Sequence, residues 1–175
     1  MIKFERHRYT PVVDTAVKSN YVQLLNANSY EKGSWTLHML RRKIGDYLFW
    51  KGLRAYYAKY KNLNANTADL EQVMAQTSGQ DLHTFFNQWI YNAGHPELGI
   101  VWNYYADKKA INITITQKQN NLFVFPLKLE IDGKFYTVDV KDKETTTTFP
   151  ATAKPAVIIA DPTVDLLAGF TIAEK

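Results

Sequence analysis

The chain has 175 residues, of which 46% are hydrophobic and 14% aromatic, enough apolar surface for one sizeable packed domain or two small ones. Its 21 basic and 17 acidic residues are interspersed, so the net charge of +4 and the pI near 9.1 are typical of a solvated surface and predict no nucleic-acid partner. The absence of cysteine excludes disulfides, thiol nucleophiles and cysteine-ligated metals, and no apolar run approaches the roughly 18 residues of a membrane span.

The first 29 residues are the least periodic part of the chain. They contain Pro11 beside a short apolar pair, and residues 14–25 are predicted to form a helix. The first nine residues mix acids and bases and lack an apolar core, so no signal peptide is expected in them. If the parent protein is exported, we expect its signal to lie outside this chain.

Helical periodicity becomes clear after residue 30. Apolar residues recur at the i, i+3, i+7 spacing of one helical face at Leu37, Leu40 and Ile44. Gly45 suits a left-handed helix stop, and Asp46 is predicted to cap a second helix that runs to about Tyr60. The residues predicted to be buried on this second helix are Phe49, Leu53, Tyr56, Tyr57 and Tyr60.

A third and a fourth helix are predicted beyond residue 65. Asn66 or Thr67 is expected to cap the third helix, with Asp69 and Glu71 near the positive end of its dipole and Gly79 as its stop. The fourth helix is predicted to begin near residue 81 with the cleanest apolar stripe in the chain: Leu82, Phe85, Phe86, Trp89 and Ile90. Four short helices with brief connections favour a bundle or superhelix.

The pattern changes at residues 94–96, Gly-His-Pro, because proline disfavours helix in the residue before it and the following residues alternate at period two. This change predicts two domains, residues 1–95 and 96–175. Asp132-Gly133 is a hairpin signal, and 163–170 is predicted as a closing turn or short helix. The predicted strands are 100–106, 111–116, 127–131, 134–140, 145–149 and 156–160.

One stretch is specific beyond its periodicity. Residues 30–33, Tyr-Glu-Lys-Gly, lead into 37–40, Leu-His-Met-Leu, and this order resembles the M1 (gluzincin) family of zinc aminopeptidases. The resemblance continues in order through residues 45–46, 49–54, 65–70, 78–82, 85–90 and 94–98. It implies an α+β fold in which about four helices form the end of a thermolysin-like catalytic domain and a small antiparallel β-sandwich follows.

The resemblance makes Tyr30 the candidate catalytic residue. In the family this tyrosine reaches into the active site beside the metal. A phenol O–H at hydrogen-bond distance stabilises the oxyanion that forms when water attacks a peptide carbonyl. Outside the resemblance, Tyr30 is one of 11 tyrosines and reads as a packed residue at a helix start. No catalytic role is assigned to Glu31 or Lys32.

Family catalysis also requires His-Glu-x-x-His and a further glutamate, which together supply three zinc ligands and a general base. That motif is absent from this sequence, whose four histidines, His7, His38, His83 and His95, include no pair at i, i+4. In the family the motif precedes the tyrosine by more residues than the 29 present here. We therefore expect zinc in the full-length parent, no cofactor or metal ligand in this chain, and no activity of this chain by itself.

Two interpretations follow from the resemblance. In the first, the chain is the C-terminal part of an aminopeptidase whose parent removes N-terminal residues from peptides, and its partners are that peptide substrate and the missing N-terminal catalytic half. In the second, the chain is a non-catalytic, peptidase-derived binding or interaction module. An exposed apolar face where the missing half packs would favour the first, and a homodimer through that face fits either. Bacterial relatives of this appearance are often exported, which favours an extracytoplasmic location for the parent.

Overall fold

The computed structural model describes residues 2–5 and 7–175, so Met1 and Arg6 of the aperiodic N-terminal segment lie outside the described part. The chain divides into two compact units, Met1–Ala93 and Gly94–Lys175. The first is helical and the second is built of strands, which confirms the predicted α+β class. The domain limits given above, 1–95 and 96–175, stay a prediction about the parent protein.

The first unit contains five α-helices in its described residues: α1 (Ile2–Glu5), α2 (Gly33–Ile44), α3 (Asp46–Tyr60), α4 (Thr67–Ser78) and α5 (His83–Phe86). A single 3-10 turn lies at Tyr21–Leu24, and wider π-helical turns lie at Asn28–Lys32 and Asn87–Tyr91. The prediction of a helix over 14–25 is wrong except for the 3-10 turn. Asp14 instead accepts the backbone N–H of Ala16 at 3.0 Å, a local bond that competes with helix formation.

The junction between α2 and α3 differs from the prediction in detail. Gly45 has φ 85° and ψ 153°, so its φ is positive but its conformation is not the left-handed helical one. Asp46 is the first residue of α3 and not its cap. Its carboxylate accepts Arg41 Nε at 2.8 Å and Arg41 Nη2 at 2.6 Å. This bidentate bond occupies both oxygens that would otherwise cap the helix.

The buried faces of α2 and α3 are rotated slightly from the predicted ones. The buried side chains of α2 are Thr36, Met39, Leu40 and Ile44. Leu37 is exposed, whereas Thr36 is buried. The Thr36 hydroxyl donates to the Lys32 carbonyl at 2.8 Å, so it loses no hydrogen bond on burial. Tyr57 of α3 is also exposed, contrary to the prediction.

Gly52 marks the close approach of α3 and α4. A Cβ built on Gly52 would overlap Sδ of Met74, whose side chain is fully buried. We expect Gly52→Ala to lower the free energy of unfolding by about 1 kcal/mol, since overpacking costs about 1–3 kcal/mol and the helix propensity of alanine returns roughly 1 kcal/mol. Chemical denaturation measures this difference. Ala58→Gly, at an exposed position of α3, calibrates the propensity term, and a stabilised Gly52→Ala variant would contradict the packing argument.

The start of α4 confirms the predicted cap. Asn66 Oδ1 accepts the backbone N–H of Asp69 at 3.1 Å, and Asp69 Oδ2 accepts the backbone N–H of Asn66 at 2.8 Å, which is a reciprocal capping box. Asp69 Oδ1 also accepts the Tyr60 hydroxyl at 2.9 Å. At the other end of α4, Gly79 adopts the left-handed conformation with φ 68°, as predicted.

The capping box is expected to stabilise the folded state less in acid than at neutral pH. The backbone hydrogen bond from Asn66, followed by that from Tyr60, lowers the pKa of Asp69 from its usual 3.8. Its stabilisation is therefore complete above pH 3.8 and is lost as the pH falls through the lower folded-state pKa. In thermal denaturation we expect the difference in Tm between wild type and Asp69→Asn to narrow as the pH falls below 3.8. If the difference in Tm did not change with pH, the charge of the Asp69 carboxylate would not contribute to stability.

The last helical segment buries the predicted stripe. Leu82, Phe85, Phe86, Trp89 and Ile90 are all buried. The segment begins at His83 and changes from α-helical to π-helical winding at Asn87. None of the helices in the described part of the chain is long and apolar enough to cross a membrane.

The second unit contains two sheets. Its strands are β1 (Glu97–Tyr105), β2 (Ala110–Gln117), β3 (Phe125–Ile131), β4 (Lys134–Val140), β5 (Glu144–Pro150), β6 (Ile158–Ala160) and β7 (Gly169–Glu174). The sheet orders are β5-β2-β1-β7 and β4-β3-β6. Each sheet has one buried face, formed by alternate residues such as Ile113 and Leu129. The arrangement of the two sheets as a sandwich stays a prediction.

Two local predictions for this unit have different outcomes. The β3–β4 hairpin turns at Asp132 (φ 46°) and Gly133 (φ 79°), as the Asp-Gly signal predicts. The prediction of a closing turn or short helix over 163–170 is confirmed for the turn, in which the Val164 N–H donates to the Asp161 carbonyl at 3.0 Å, but it missed the strand β7 at Gly169–Glu174. This strand pairs with β1 in parallel, so the sheets are not purely antiparallel.

Candidate functional site

Tyr30 lies in the π-helical turn Asn28–Lys32 that leads into α2, a segment named below the Tyr30 turn. Its side chain is 62% exposed. Its backbone N–H donates to the Asn26 carbonyl at 3.1 Å, and its own carbonyl accepts the N–H of Gly33. Within residues 2–5 and 7–175 we find no hydrogen-bond partner for the Tyr30 hydroxyl. That hydroxyl is therefore open to a ligand, and the two backbone bonds hold the turn from which the side chain projects.

Asn28 anchors the start of the Tyr30 turn. Its side chain is fully buried, and its Nδ2 lies 3.1 Å from the Arg8 carbonyl, 2.9 Å from the Thr10 carbonyl and 3.0 Å from Thr10 Oγ1. Asn26 Oδ1 accepts the backbone N–H of Asn28 at 2.8 Å. These bonds join the turn to the N-terminal segment.

Lys32 anchors the end of the Tyr30 turn through a buried ion pair. Its Nζ lies 3.2 Å from Glu5 Oε1, and the side-chain exposures of Lys32 and Glu5 are 0% and 2%. The same ammonium donates to the Asn92 carbonyl at 3.2 Å. Burial lowers the pKa of Lys32 from 10.5, and the charge and hydrogen bond of Glu5 oppose this shift.

The four histidines have different local surroundings. His7 and His38 are exposed, and the Trp35 ring meets the His38 ring edge-on at 5.5 Å. His83 pairs with Glu71 at 3.3 Å and His95 with Glu97 at 2.9 Å. Within the described ranges no group of three histidine, aspartate or glutamate side chains is placed to hold a metal ion. The described residues therefore do not fit a zinc site of their own.

Sequence reasoning identified Tyr30 but missed the groups that hold its turn. Lys32 lies in a helix of mixed polarity, where a lysine is usually solvated. Its partner Glu5 is 27 positions away, and Asn28 bonds to residues 18 and 20 positions away. Only the tertiary structure brings these groups together.

Comparison with known proteins identifies the class. Residues 3–89 match the family model described as the peptidase family M1 domain. The chain is 33% identical over 128 residues to the alanine/arginine aminopeptidase of Saccharomyces cerevisiae, covering 73% of this chain and 13% of that protein. It is 42% identical over 67 residues to aminopeptidase N of Lactococcus lactis subsp. lactis, covering 38% of this chain and 8% of that protein.

The fold gives the same result. A crystal structure of Legionella pneumophila aminopeptidase A in complex with aspartic acid superimposes with a TM-score of 0.74 at 18% identity, covering 85% of this chain and 18% of that one. The sequence and the fold are thus of the aminopeptidase type. The chain belongs to the M1 peptidase family. Members of this family are in general zinc-dependent, and this chain spans less than a fifth of the length of each of these relatives.

Proposed function

We propose that the chain is the C-terminal part of a zinc-dependent aminopeptidase whose parent removes N-terminal residues from peptides. In this proposal the helical unit is the end of the catalytic domain and the second unit is the domain that follows it. The observation that supports it most directly is the Tyr30 turn, since an exposed tyrosine is held by two buried anchors within the segment that matches the M1 domain. The comparisons do not favour the alternative of a non-catalytic binding module.

Tyr30 acts as a hydrogen-bond donor in this proposal. When a peptide carbonyl is attacked by water, its oxygen gains negative charge, and a phenol O–H directed at that oxygen stabilises the transition state more than the ground state. A donor whose direction is fixed before the reaction needs little reorganisation as the charge develops. The anchored backbone of the Tyr30 turn and the open hydroxyl of Tyr30 support this role.

The metal ligands and the general base belong to another segment of the parent in this proposal. Bound zinc supplies Lewis-acid chemistry in such enzymes, and the described residues here offer no suitable donor set. The 175-residue chain is accordingly expected to be inactive by itself.

The test begins with the DNA upstream of the Met1 codon, which should contain an in-frame His-Glu-x-x-His followed by a glutamate. The longer product should release N-terminal residues from unblocked peptides, and a chelator should abolish this activity. The matched substrate control is the same peptide with an acetylated N-terminus, which should not be cleaved. A stop codon before any such motif, or a longer product that hydrolyses no peptide, would refute the proposal.

We also propose where the rest of the parent packs. Exposed apolar side chains are concentrated just before the Tyr30 turn at Tyr21, Val22 and Leu25, which are 65%, 70% and 64% exposed. Clustered exposure of this kind favours an interaction surface, and here its occupant is the N-terminal catalytic half. If the 175-residue chain sediments as a dimer and Val22→Lys makes it monomeric, this surface instead joins two copies.

A further inference from the structure

Two buried residues flank Tyr30 within its turn. Asn28 and Lys32 are each 0% exposed, whereas Tyr30 between them is 62% exposed. Positions two residues apart lie on roughly opposite sides of a helix. Anchors on both sides of Tyr30 therefore direct its side chain away from the core, although the side chain has no hydrogen bond of its own within the described residues.

The Lys32 anchor joins three separate segments of the helical unit. Its ammonium contacts Glu5 at the end of α1 and the Asn92 carbonyl just after the last π-helical turn. Lys32 itself ends the Tyr30 turn. A change in the winding of the turn would displace the ammonium from both acceptors, so the ion pair is sensitive to the conformation that sets the direction of Tyr30.

A buried ion pair contributes little net stability to a folded protein. Removing two charges from water offsets most of their attraction, and apolar residues of similar volume often stabilise a core as well or better. Ionic and hydrogen-bonded contacts differ from apolar ones in being directional, so they select one geometry. A role in geometry accounts for a lysine and a glutamate in this fully buried position better than a role in stability does.

We propose that the Glu5–Lys32 ion pair is a positioning device for Tyr30, in which Lys32 fixes the conformation of the Tyr30 turn. Lys32 touches no reacting atom in this scheme and is a positioning residue. That Tyr30 is a catalytic donor rests on the proposed function, whereas the effect of the ion pair on the conformation of the Tyr30 turn concerns this chain alone.

Native-state hydrogen exchange of the full chain tests whether the ion pair fixes the conformation of the Tyr30 turn. The double variant Glu5→Leu/Lys32→Met replaces the pair with apolar side chains. The informative amides are those of Tyr30, bonded to Asn26, and Gly33, bonded to Tyr30. We expect these two amides to exchange at least about tenfold faster in the variant while the amides inside α3 keep their wild-type rates, because a local opening leaves the rest of the unit protected.

Two further variants keep the test decisive. Arg41→Ala/Asp46→Ala removes an exposed ion pair with side-chain exposures of 40% and 63%, and it should leave exchange in the Tyr30 turn unchanged. Glu5→Asp keeps the charge but shortens the side chain by one methylene group, so it should give an intermediate acceleration, and it carries the test if the double variant does not fold. The proposal would be overturned if the amides of the Tyr30 turn exchanged at wild-type rates in the double variant, or if the amides of the turn and of α3 were accelerated equally.

The longer protein separates this inference from the proposed function. If it is an active aminopeptidase, the double variant should lower kcat and leave KM nearly unchanged, because a misdirected donor weakens only the transition state. A purely structural defect would instead lower the fraction of active enzyme, which active-site titration detects. If the wild-type longer protein is inactive while the turn still loosens in the variant, the proposed function fails and the positioning of Tyr30 stands.

Discussion

Tyr30→Phe in the longer enzyme proposed above is expected to lower kcat by about 100- to 1000-fold, the effect of losing one donor to a developing oxyanion. The phenylalanine ring keeps the shape of the side chain and removes only the O–H. KM should change little, since the lost hydrogen bond forms mainly in the transition state. Steady-state kinetics on an unblocked peptide substrate measures both constants.

The chain offers a matched control for this substitution. Tyr47 lies near the start of α3, and its side chain is 73% exposed, comparable to Tyr30. Tyr47→Phe removes a hydroxyl of the same chemistry from a different position and should leave kcat unchanged. Equal losses in both variants would indicate a non-specific defect, and an unchanged kcat in Tyr30→Phe would remove Tyr30 from the catalytic machinery.

Where local signals decide the structure, the sequence predicts it well. The bounds of α4 follow from Asn66 and Gly79, because capping and left-handed termination depend on residues within one turn. The alternation of Ile111, Ile113 and Ile115 predicts β2 for the same kind of reason, since a strand buries every second side chain. These elements required no knowledge of their distant partners.

Where distant contacts decide the structure, the sequence alone is insufficient. The strand β7 forms because its residues pair with β1, about 70 positions earlier, and no local pattern predicts that parallel pairing. Leu37 is exposed although its spacing is that of a buried face, because tertiary contacts bury Thr36 and Met39 instead. The candidate site divides in the same way. A motif identifies Tyr30, but the burial of Lys32 depends on its contact with Glu5, which lies 27 positions earlier in the sequence.

Lys32→Met alone is expected to lower the free energy of unfolding by about 3–5 kcal/mol, because it removes the positive charge of Lys32 from beside the buried Glu5 carboxylate. Adding Glu5→Leu also removes the buried carboxylate, so the double variant should recover most of the loss and lie within about 1 kcal/mol of wild type. Urea denaturation followed by the helical circular dichroism signal gives the four free energies of the double-mutant cycle.

The cycle separates the two roles that a buried ion pair can have. Recovery of stability in the double variant, together with faster exchange in the Tyr30 turn, would mean that the pair contributes to the geometry of the turn and little to the net stability of the unit. A double variant as unstable as Lys32→Met would mean that apolar side chains cannot replace the bonds to Glu5 and Asn92. In that case the pair is a requirement for folding of the helical unit, and the fixed direction of Tyr30 is a consequence of the fold.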